Sequence, residues 1–282
     1  MKKRPEKNRL PAHQPCIVTL MTDFGTQDAY VGIMKGVIIG INPCVNIIDI
    51  CHNIPPQDIF SGAYLLSSSY KYFPQGTVHV AVVDPGVGSK RDIVCVEINK
   101  HFFLVPDNGI LSFILQEEMP KSIVRVTNNK YFLPLPSATF HGRDIFAPVA
   151  AYLSLGTKPQ LLGNASDRLN QLETPTPEYT KKKRLIGAVI HIDRFGNLVT
   201  NITRKSLKYL SAPHKCLEMS IGKKKIAGLQ NTYADAPAGE SLFFFGSAGF
   251  IEVSVNQGNA QTYFKAKRGD KISVGIKSSV TR

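Results

Sequence analysis

The chain has 282 residues, of which 43% are hydrophobic and 20% charged, and a formal net charge of +13. That length suits one large domain or two ordinary ones, and no apolar run approaches the roughly 20 residues that cross a bilayer, so no membrane association is expected. The positive charge is concentrated in MKKRPEKNRLPAHQP at the N-terminus, in KKKR at 181–184 and in KKK at 223–225. These runs lack interleaved aromatics and read as solvated faces, so no specific nucleic-acid partner is expected, while an anionic partner or substrate is compatible.

Residues 1–14 are basic without an apolar core, which reads as a disordered tail and not as a secretory signal. Residues 16–22, CIVTLMT, form the first expected strand and end at Asp23. Tyr30, Ile33, Met34, Val37, Ile38 and Ile41 then recur at helical spacing until Asn42–Pro43 stops them. A strand at 45–50 follows, then a helix carrying Ile59, Ala63, Leu66 and Tyr70 on one side, then a strong apolar strand at 77–83. This β-α-β-α-β order predicts parallel strands joined by crossover helices. Strands at 92–98 and 101–105 are close enough to pair as a hairpin, which makes the sheet mixed. Pro106-Asp107-Asn108-Gly109 predicts a turn, 121–126 a further strand, and 139–156 a helix with His141 and Arg143 at its mouth.

The expected fold class is therefore α/β: a mostly parallel sheet flanked by helices over 15–165. A polar linker with Pro175 and Pro177 is expected at 166–184, and a smaller β domain over 185–282. Short β-rich runs at 185–192, 198–203, 216–221, 241–246, 250–255 and 271–276 predict an antiparallel, barrel-like arrangement. The five cysteines (Cys16, Cys44, Cys51, Cys95 and Cys216) include no CxxC pair and read as small residues of a reducing, cytoplasmic compartment. No His/Cys/Asp/Glu cluster has metal-ligand spacing, so no metal is expected.

Asp84 ends the strand at 77–83, the Pro85-Gly86-Val87-Gly88 turn follows, and Arg91 lies just beyond. A carboxylate at the carboxyl end of a buried strand is where open α/β sheets bind ligands; the alternative is a turn capped by Asp84 with a solvated Arg91. Asp23 stands at the equivalent end of strand one. An ionised carboxylate there can accept from both hydroxyls of a ribose diol, or it can cap the helix that follows. His141 is either structural or a partner of Asp84 and Arg91. GxSxG, GxGxxG and GxxxxGK[ST] are all absent, which leaves no serine-nucleophile elbow and no strong nucleotide-phosphate loop. In the C-terminal part, Asp193, Phe195 and Asn197 in IDRFGNLVTNI can recognise an adenine edge or simply form a β-turn. Ser247 and Glu252 sit in GSAGFIEVSVN, where a carboxylate suits the ammonium of an amino acid or merely faces outward from a strand.

In this order the segments TDFGTQDAYVGIMKG, VVDPGVGSKR, PDNG, TFHGRDIFAPVAA, IDRFGNLVTNI and GSAGFIEVSVN resemble the S-adenosyl-L-methionine hydroxide adenosyltransferase family, relatives of the fluorinase and chlorinase enzymes. The resemblance spans residues 16–276. It implies hydrolysis of S-adenosyl-L-methionine to adenosine and L-methionine without a cofactor, in a homotrimer with sites between subunits. It assigns Asp84, Arg91 and His141 to the surroundings of the attacking water and Asp23 to the ribose. Phe140, Phe195, Asn197, Tyr233 and Val255 are assigned to the nucleoside region, and Ser247 and Glu252 to the methionine portion. The halogenase branch has Tyr-Ser where this chain has His141-Gly142, which counts against a halide adenosyltransferase. A non-catalytic S-adenosyl-L-methionine or adenosine sensor is the remaining alternative.

Overall fold

The computed structural model of the chain describes residues 16–210 and 213–277; the basic tail expected at 1–14 lies outside the described residues. Two compact units divide the chain, one ending at Leu172 and the other beginning at Glu173.

The first unit is built on a seven-stranded sheet of order β2-β1-β3-β5-β4-β6-β7. Its strands are β1 (Ile17–Thr22), β2 (Asn46–Cys51), β3 (Val78–Val82), β4 (Ile93–Ile98), β5 (His101–Pro106), β6 (Ser122–Val126) and β7 (Gly163–Ala165). The pairs β1·β2, β1·β3 and β3·β5 are parallel, whereas β4·β5, β4·β6 and β6·β7 are antiparallel. The β4–β5 hairpin thus reverses direction inside a mostly parallel sheet, as the short spacing between the two strands requires. Helix α1 (Tyr30–Ile41) and helix α4 (Ala147–Ser154) share one core with β1 and β3, in which Val18, Leu20, Met34, Ile38, Val80, Phe146 and Val149 are buried. Helix α2 (Ile59–Ser69) starts on an Asp58 side chain that accepts from Ser61 N, and packs against the short α3 (Ser112–Leu115) through Phe60 and Phe113. In the parallel β1·β3 register Thr22 lies opposite Val82. The strands therefore deliver Asp23 and Asp84 to the same edge of the sheet.

The helix predicted over 139–156 is divided. Residues Gly142–Phe146 form a π turn, and α4 follows. Pro148 has no N–H to donate back to the Asp144 carbonyl, and that carbonyl accepts from Leu133 N at 2.9 Å instead. The local winding is thus set by a proline that the hydrophobic periodicity does not register.

The second unit pairs its named strands antiparallel, with β8 (Glu178–Tyr179), β9 (Arg184–Ile192), β10 (Leu198–Thr203), β11 (Leu217–Ile221), β12 (Lys224–Ala227), β13 (Ser241–Phe245), β14 (Phe250–Val255) and β15 (Lys271–Ile276). Their order is β12-β11-β15-β9-β10-β14-β13, with β8 added to β9. Just beyond β12, Leu229 bridges to Phe243 of β13, and Gln230 N donates to the Phe243 carbonyl at 2.9 Å. The two ends of the sheet are thereby drawn together into a nearly closed barrel filled by Leu185, Val189, Met219, Phe243, Val253 and Val274. Two short helices, α5 (Arg204–Leu207) and α6 (Ala260–Phe264), punctuate it. The polar stretch at 166–184 is held at several points. Asn170 N donates to Asp107 Oδ1 at 2.8 Å and Leu172 N to Ser112 Oγ at 2.8 Å, while Glu178–Tyr179 pair with β9.

Candidate active site

In the first unit, Asp84, Arg91 and His141 converge. Asp84 leaves the end of β3, and Asn108 Nδ2 pins the carbonyl just before it, on Val83, at 2.8 Å. The turn then closes through Val87 N to the Asp84 carbonyl (3.2 Å) and Ser89 N to the Gly86 carbonyl (3.0 Å). Gly88 adopts φ +78°, and a Cβ there would lie 2.6 Å from the Ala138 carbonyl oxygen. Glycine is required by both conformation and space, and this close approach seats the Arg91 loop against the segment that leads into His141.

Arg91 returns across its own turn to Asp84. Its Nε donates to Asp84 Oδ1 at 2.6 Å and its Nη2 to Oδ2, a two-pronged pairing that matches guanidinium to carboxylate. Only 4% of the Asp84 side chain and 10% of the Arg91 side chain are exposed. Arg91 Nη2 also lies 3.3 Å from His141 Nδ1. A guanidinium can only donate, so Nδ1 is the acceptor and the ring hydrogen of the neutral imidazole sits on Nε2. Burial first, and the Arg91 charge second, hold the His141 pKa below the ordinary imidazole value, against the opposing pull of Asp84 and Asp144. The trio is thus a buried ion pair that locks a neutral histidine in one tautomer.

Asp23 is not a helix cap, since the residue preceding α1 is Ala29. Its Oδ2 accepts from Gln57 N at 2.7 Å. The next residue, Phe24, joins this loop to the His141 turn: its ring lies 6.1 Å from Phe140 and 5.8 Å from Tyr30, edge to face, and Tyr30 meets Phe140 at 5.2 Å. Phe140 therefore packs in an aromatic cluster beside His141, with the Arg143 guanidinium 5.3 Å above its ring. A Cβ on Gly142 would come within 3.2–3.3 Å of Met34 Sδ, Phe140 and Phe24, so even a small side chain there crowds the cluster.

The second unit gathers a different set. Asp193 organises the turn after β9: Oδ1 accepts from Phe195 N (2.9 Å) and Asn197 N (2.8 Å), and Oδ2 from Asn197 Nδ2 (2.8 Å). Gly196 supplies φ +84° where the chain passes Asn259. Asn197 Nδ2 also reaches Tyr233 Oη at 3.4 Å, and Tyr233 stacks edge to face on Phe244 at 4.7 Å. Phe195, Asn197, Tyr233 and Val255 line one cavity of about 490 Å³, together with Asn256, Gln257 and Gly258. That volume accommodates a nucleoside-sized group. Ser247 and Glu252 are not among the residues lining this cavity. Ser247 is exposed in the β13–β14 turn, and the Glu252 carboxylate passes so close over Gly246 that any Cβ there would collide with it. Burial, and then the Asp193 charge, raise the Glu252 pKa above the ordinary carboxylate value.

Sequence reasoning missed Phe24 and Tyr30, which join the Asp23 loop to His141, and Asn108, which fixes Asp84 from behind. It also missed the Asn256–Gly258 wall of the second cavity. For Asn108, the Pro-Asp-Asn-Gly turn was itself the signal. For Phe24, adjacency to Asp23 was the only one.

A model described as the SAM hydroxide adenosyltransferase N-terminal domain matches residues 18–163, and its C-terminal counterpart matches residues 187–273. A Methanocaldococcus jannaschii protein named (R)-S-adenosyl-L-methionine hydrolase is 37% identical, over 92% of this chain and 95% of its own. A Nocardia brasiliensis protein named Fluorinase is 27% identical, over 92% of this chain and 97% of its own. The crystal structure of an uncharacterized conserved protein from Thermotoga maritima superposes with a TM-score of 0.86 at 35% identity, covering 92% of this chain and 99% of that one. With both domain models matched in order and close relatives aligned over nearly the full length, the chain belongs to the SAM hydroxide adenosyltransferase family.

Proposed function

We propose that the protein hydrolyses S-adenosyl-L-methionine to adenosine and L-methionine by in-line attack of water on the ribose C5′. The observation that carries this reading is the Asp84–Arg91–His141 cluster, a buried ion pair holding a neutral histidine at the edge of the sheet beside Asp23. Relatives named (R)-S-adenosyl-L-methionine hydrolase support it, at 37% and 34% identity. The relatives named Fluorinase stand at 24–27%, and Gly142 leaves no hydroxyl next to His141.

The leaving sulfonium carries a positive charge already, so methionine departs as a neutral thioether and needs no general acid. The oxygen of water bonds to C5′ as the C5′–S bond breaks, and one proton leaves the water. Arg91 stabilises the hydroxide character that develops on the oxygen. His141 holds the water by donating from Nε2. Its Nδ1 and both Asp84 oxygens are occupied by Arg91, so the trio orients the attacking water and the proton that water loses passes to solvent. Asp23 accepts from the ribose hydroxyls through Oδ1. Phe195, Asn197, Tyr233 and Val255 of the second unit and Phe140 of the first serve the nucleoside, and Ser247 and Glu252 serve the methionine end, where a carboxylate suits an ammonium. The (R) sulfonium epimer is the preferred substrate, following the relatives' name.

Three copies assemble in this reading, each site being completed by a neighbouring subunit. Light scattering on the eluting protein should give three times the 31.0 kDa chain mass; a mass of one chain contradicts the trimer. The five cysteines suit a reducing cytoplasm.

The test is chromatography of pure protein incubated with S-adenosyl-L-methionine, with and without chloride. Equal amounts of adenosine and methionine, independent of halide, are expected. A chloride-dependent nucleoside product would assign the chain to halide transfer, and bound ligand without turnover would make it a sensor.

A further inference from the structure

We infer that His52 is a positioning residue for the ribose subsite, fixing the Asp23 loop through its ring and its backbone carbonyl; this rests on the reading of Asp23 as the ribose carboxylate. Residues 23–29 between β1 and α1 contain no helix and little buried surface, so the direction of the Asp23 carboxylate depends on what grips the loop at its root. His52 lies directly after β2, is 7% exposed, and grips that root at two points. Its carbonyl accepts from Gly25 N at 2.8 Å, where Gly25 takes φ +71°. Its Nδ1 lies 2.8 Å from the hydroxyl of Thr22, the residue before Asp23, and that hydroxyl accepts from Phe24 N at 3.2 Å.

The other ring nitrogen faces charge. His52 Nε2 lies 3.0 Å from Asp49 Oδ1, and Asp49 Oδ2 accepts from Lys35 Nζ at 2.6 Å. Asp49 is itself exposed, and although desolvation works against its charge, Lys35 and His52 beside it lower its pKa on balance. A carboxylate only accepts, so in the neutral ring Nε2 carries the hydrogen toward Asp49 and Nδ1 accepts from the Thr22 hydroxyl. Every group then has one role. Lys35 donates to Asp49, the Asp49 carboxylate faces His52 Nε2 at 3.0 Å without an aligned hydrogen bond, Thr22 donates to His52, and Phe24 N donates to Thr22. The bonds from His52 through Thr22 to Phe24 each then have one direction, and they end on the residues on both sides of Asp23. Apart from this grip, Gln57 N holds the Asp23 carboxylate directly, through Oδ2.

The experiment measures calorimetric affinity for adenosine and for 2′,3′-dideoxyadenosine, which lacks the diol. Wild-type protein should favour adenosine at least about tenfold, the discrimination expected when a carboxylate loses charged hydrogen bonds to two hydroxyls. In His52→Leu that ratio should fall to about threefold or less, with dideoxyadenosine affinity unchanged. His52→Asn, whose amide replaces Nδ1 beside Thr22, should restore most of the ratio, and Asp49→Asn should lower it only partly. Thr22→Val keeps the side-chain shape and repeats the test should His52→Leu not fold. An intact ratio in His52→Leu or Thr22→Val, or equal weakening of both ligands, overturns the inference. A wild-type protein that binds both ligands alike removes Asp23 from the ribose site, and with it the basis of this role.

Discussion

The two units hold their candidate residues in opposite ways. In the first, Asp84 and Arg91 are almost wholly buried and bonded to each other, and His141 is fixed in one tautomer by the same guanidinium. In the second, Phe195 and Tyr233 stand open around a cavity, and only the Asp193 turn beneath them is tightly bonded. A reacting centre gains from groups already oriented before the substrate arrives, because no reorganisation is then needed in the transition state. A recognition surface must let a ligand in, and its aromatic faces stay exposed until it does. The difference predicts that substitutions in the Asp84–Arg91–His141 cluster act on turnover and those around the cavity of the second unit on binding.

Arg91→Ala should break this contrast most severely. It removes the cation and leaves a buried carboxylate unpaired, so kcat should drop by about 10³-fold with KM changed far less. Steady-state kinetics that show equal losses in affinity and turnover would make Arg91 a binding residue. His141→Ala should cost about 10²-fold in kcat, the scale of a lost water-orienting group. Phe195→Ala should raise KM about tenfold and leave kcat within a factor of about two, since stacking on a base contributes roughly 1–3 kcal/mol; a fall in kcat instead would place Phe195 near the chemistry.

Acid sharpens the comparison with smaller effects of opposite sign. Burial, reinforced by the His101 charge, lowers the pKa of the buried His79 from 6.5 to about 3. Between those values the unfolded chain binds more protons, so the first unit loses stability as pH falls below 6.5. Glu252 has a raised pKa, so its contribution to the second unit is present at low pH and lost as pH rises past its ordinary value of 4.5. Thermal unfolding followed from pH 7 to pH 4 should therefore show the first unit melting earlier. His79→Phe should reduce that shift, and an unchanged shift would remove His79 as its cause. His141, with its pKa below 6.5, should keep the rate constant through pH 6.5, the decline setting in only at lower pH.

Much of this was legible in the sequence, because strand ends and turn residues are local signals. Asp84 and Asp23 follow apolar runs that could only be strands, and Gly88 marks a turn whose glycine the structure shows to be required by Ala138. What the chain order could not give was convergence. Arg91 is seven residues from Asp84, but His141 is 50 residues from Arg91 and reaches it only because α4 packs on the same face of the sheet as α1. Strand β12 escaped notice because KKKIA is lysine-rich, and its single buried side chain, Ile226, carries too little apolar pattern to reveal a strand. The π turn escaped because it depends on Pro148 and on a carbonyl captured by Leu133, a contact with no periodicity at all.

The central claim is that water attacks C5′ in the presence of the Asp84–Arg91–His141 cluster. Mass spectrometry of the products formed in H₂¹⁸O tests it most directly. The account predicts one ¹⁸O in the 5′-hydroxyl of adenosine, none in methionine, and loss of the labelled product in His141→Ala. Adenosine formed without the label, or labelled at the same rate in His141→Ala, would contradict it.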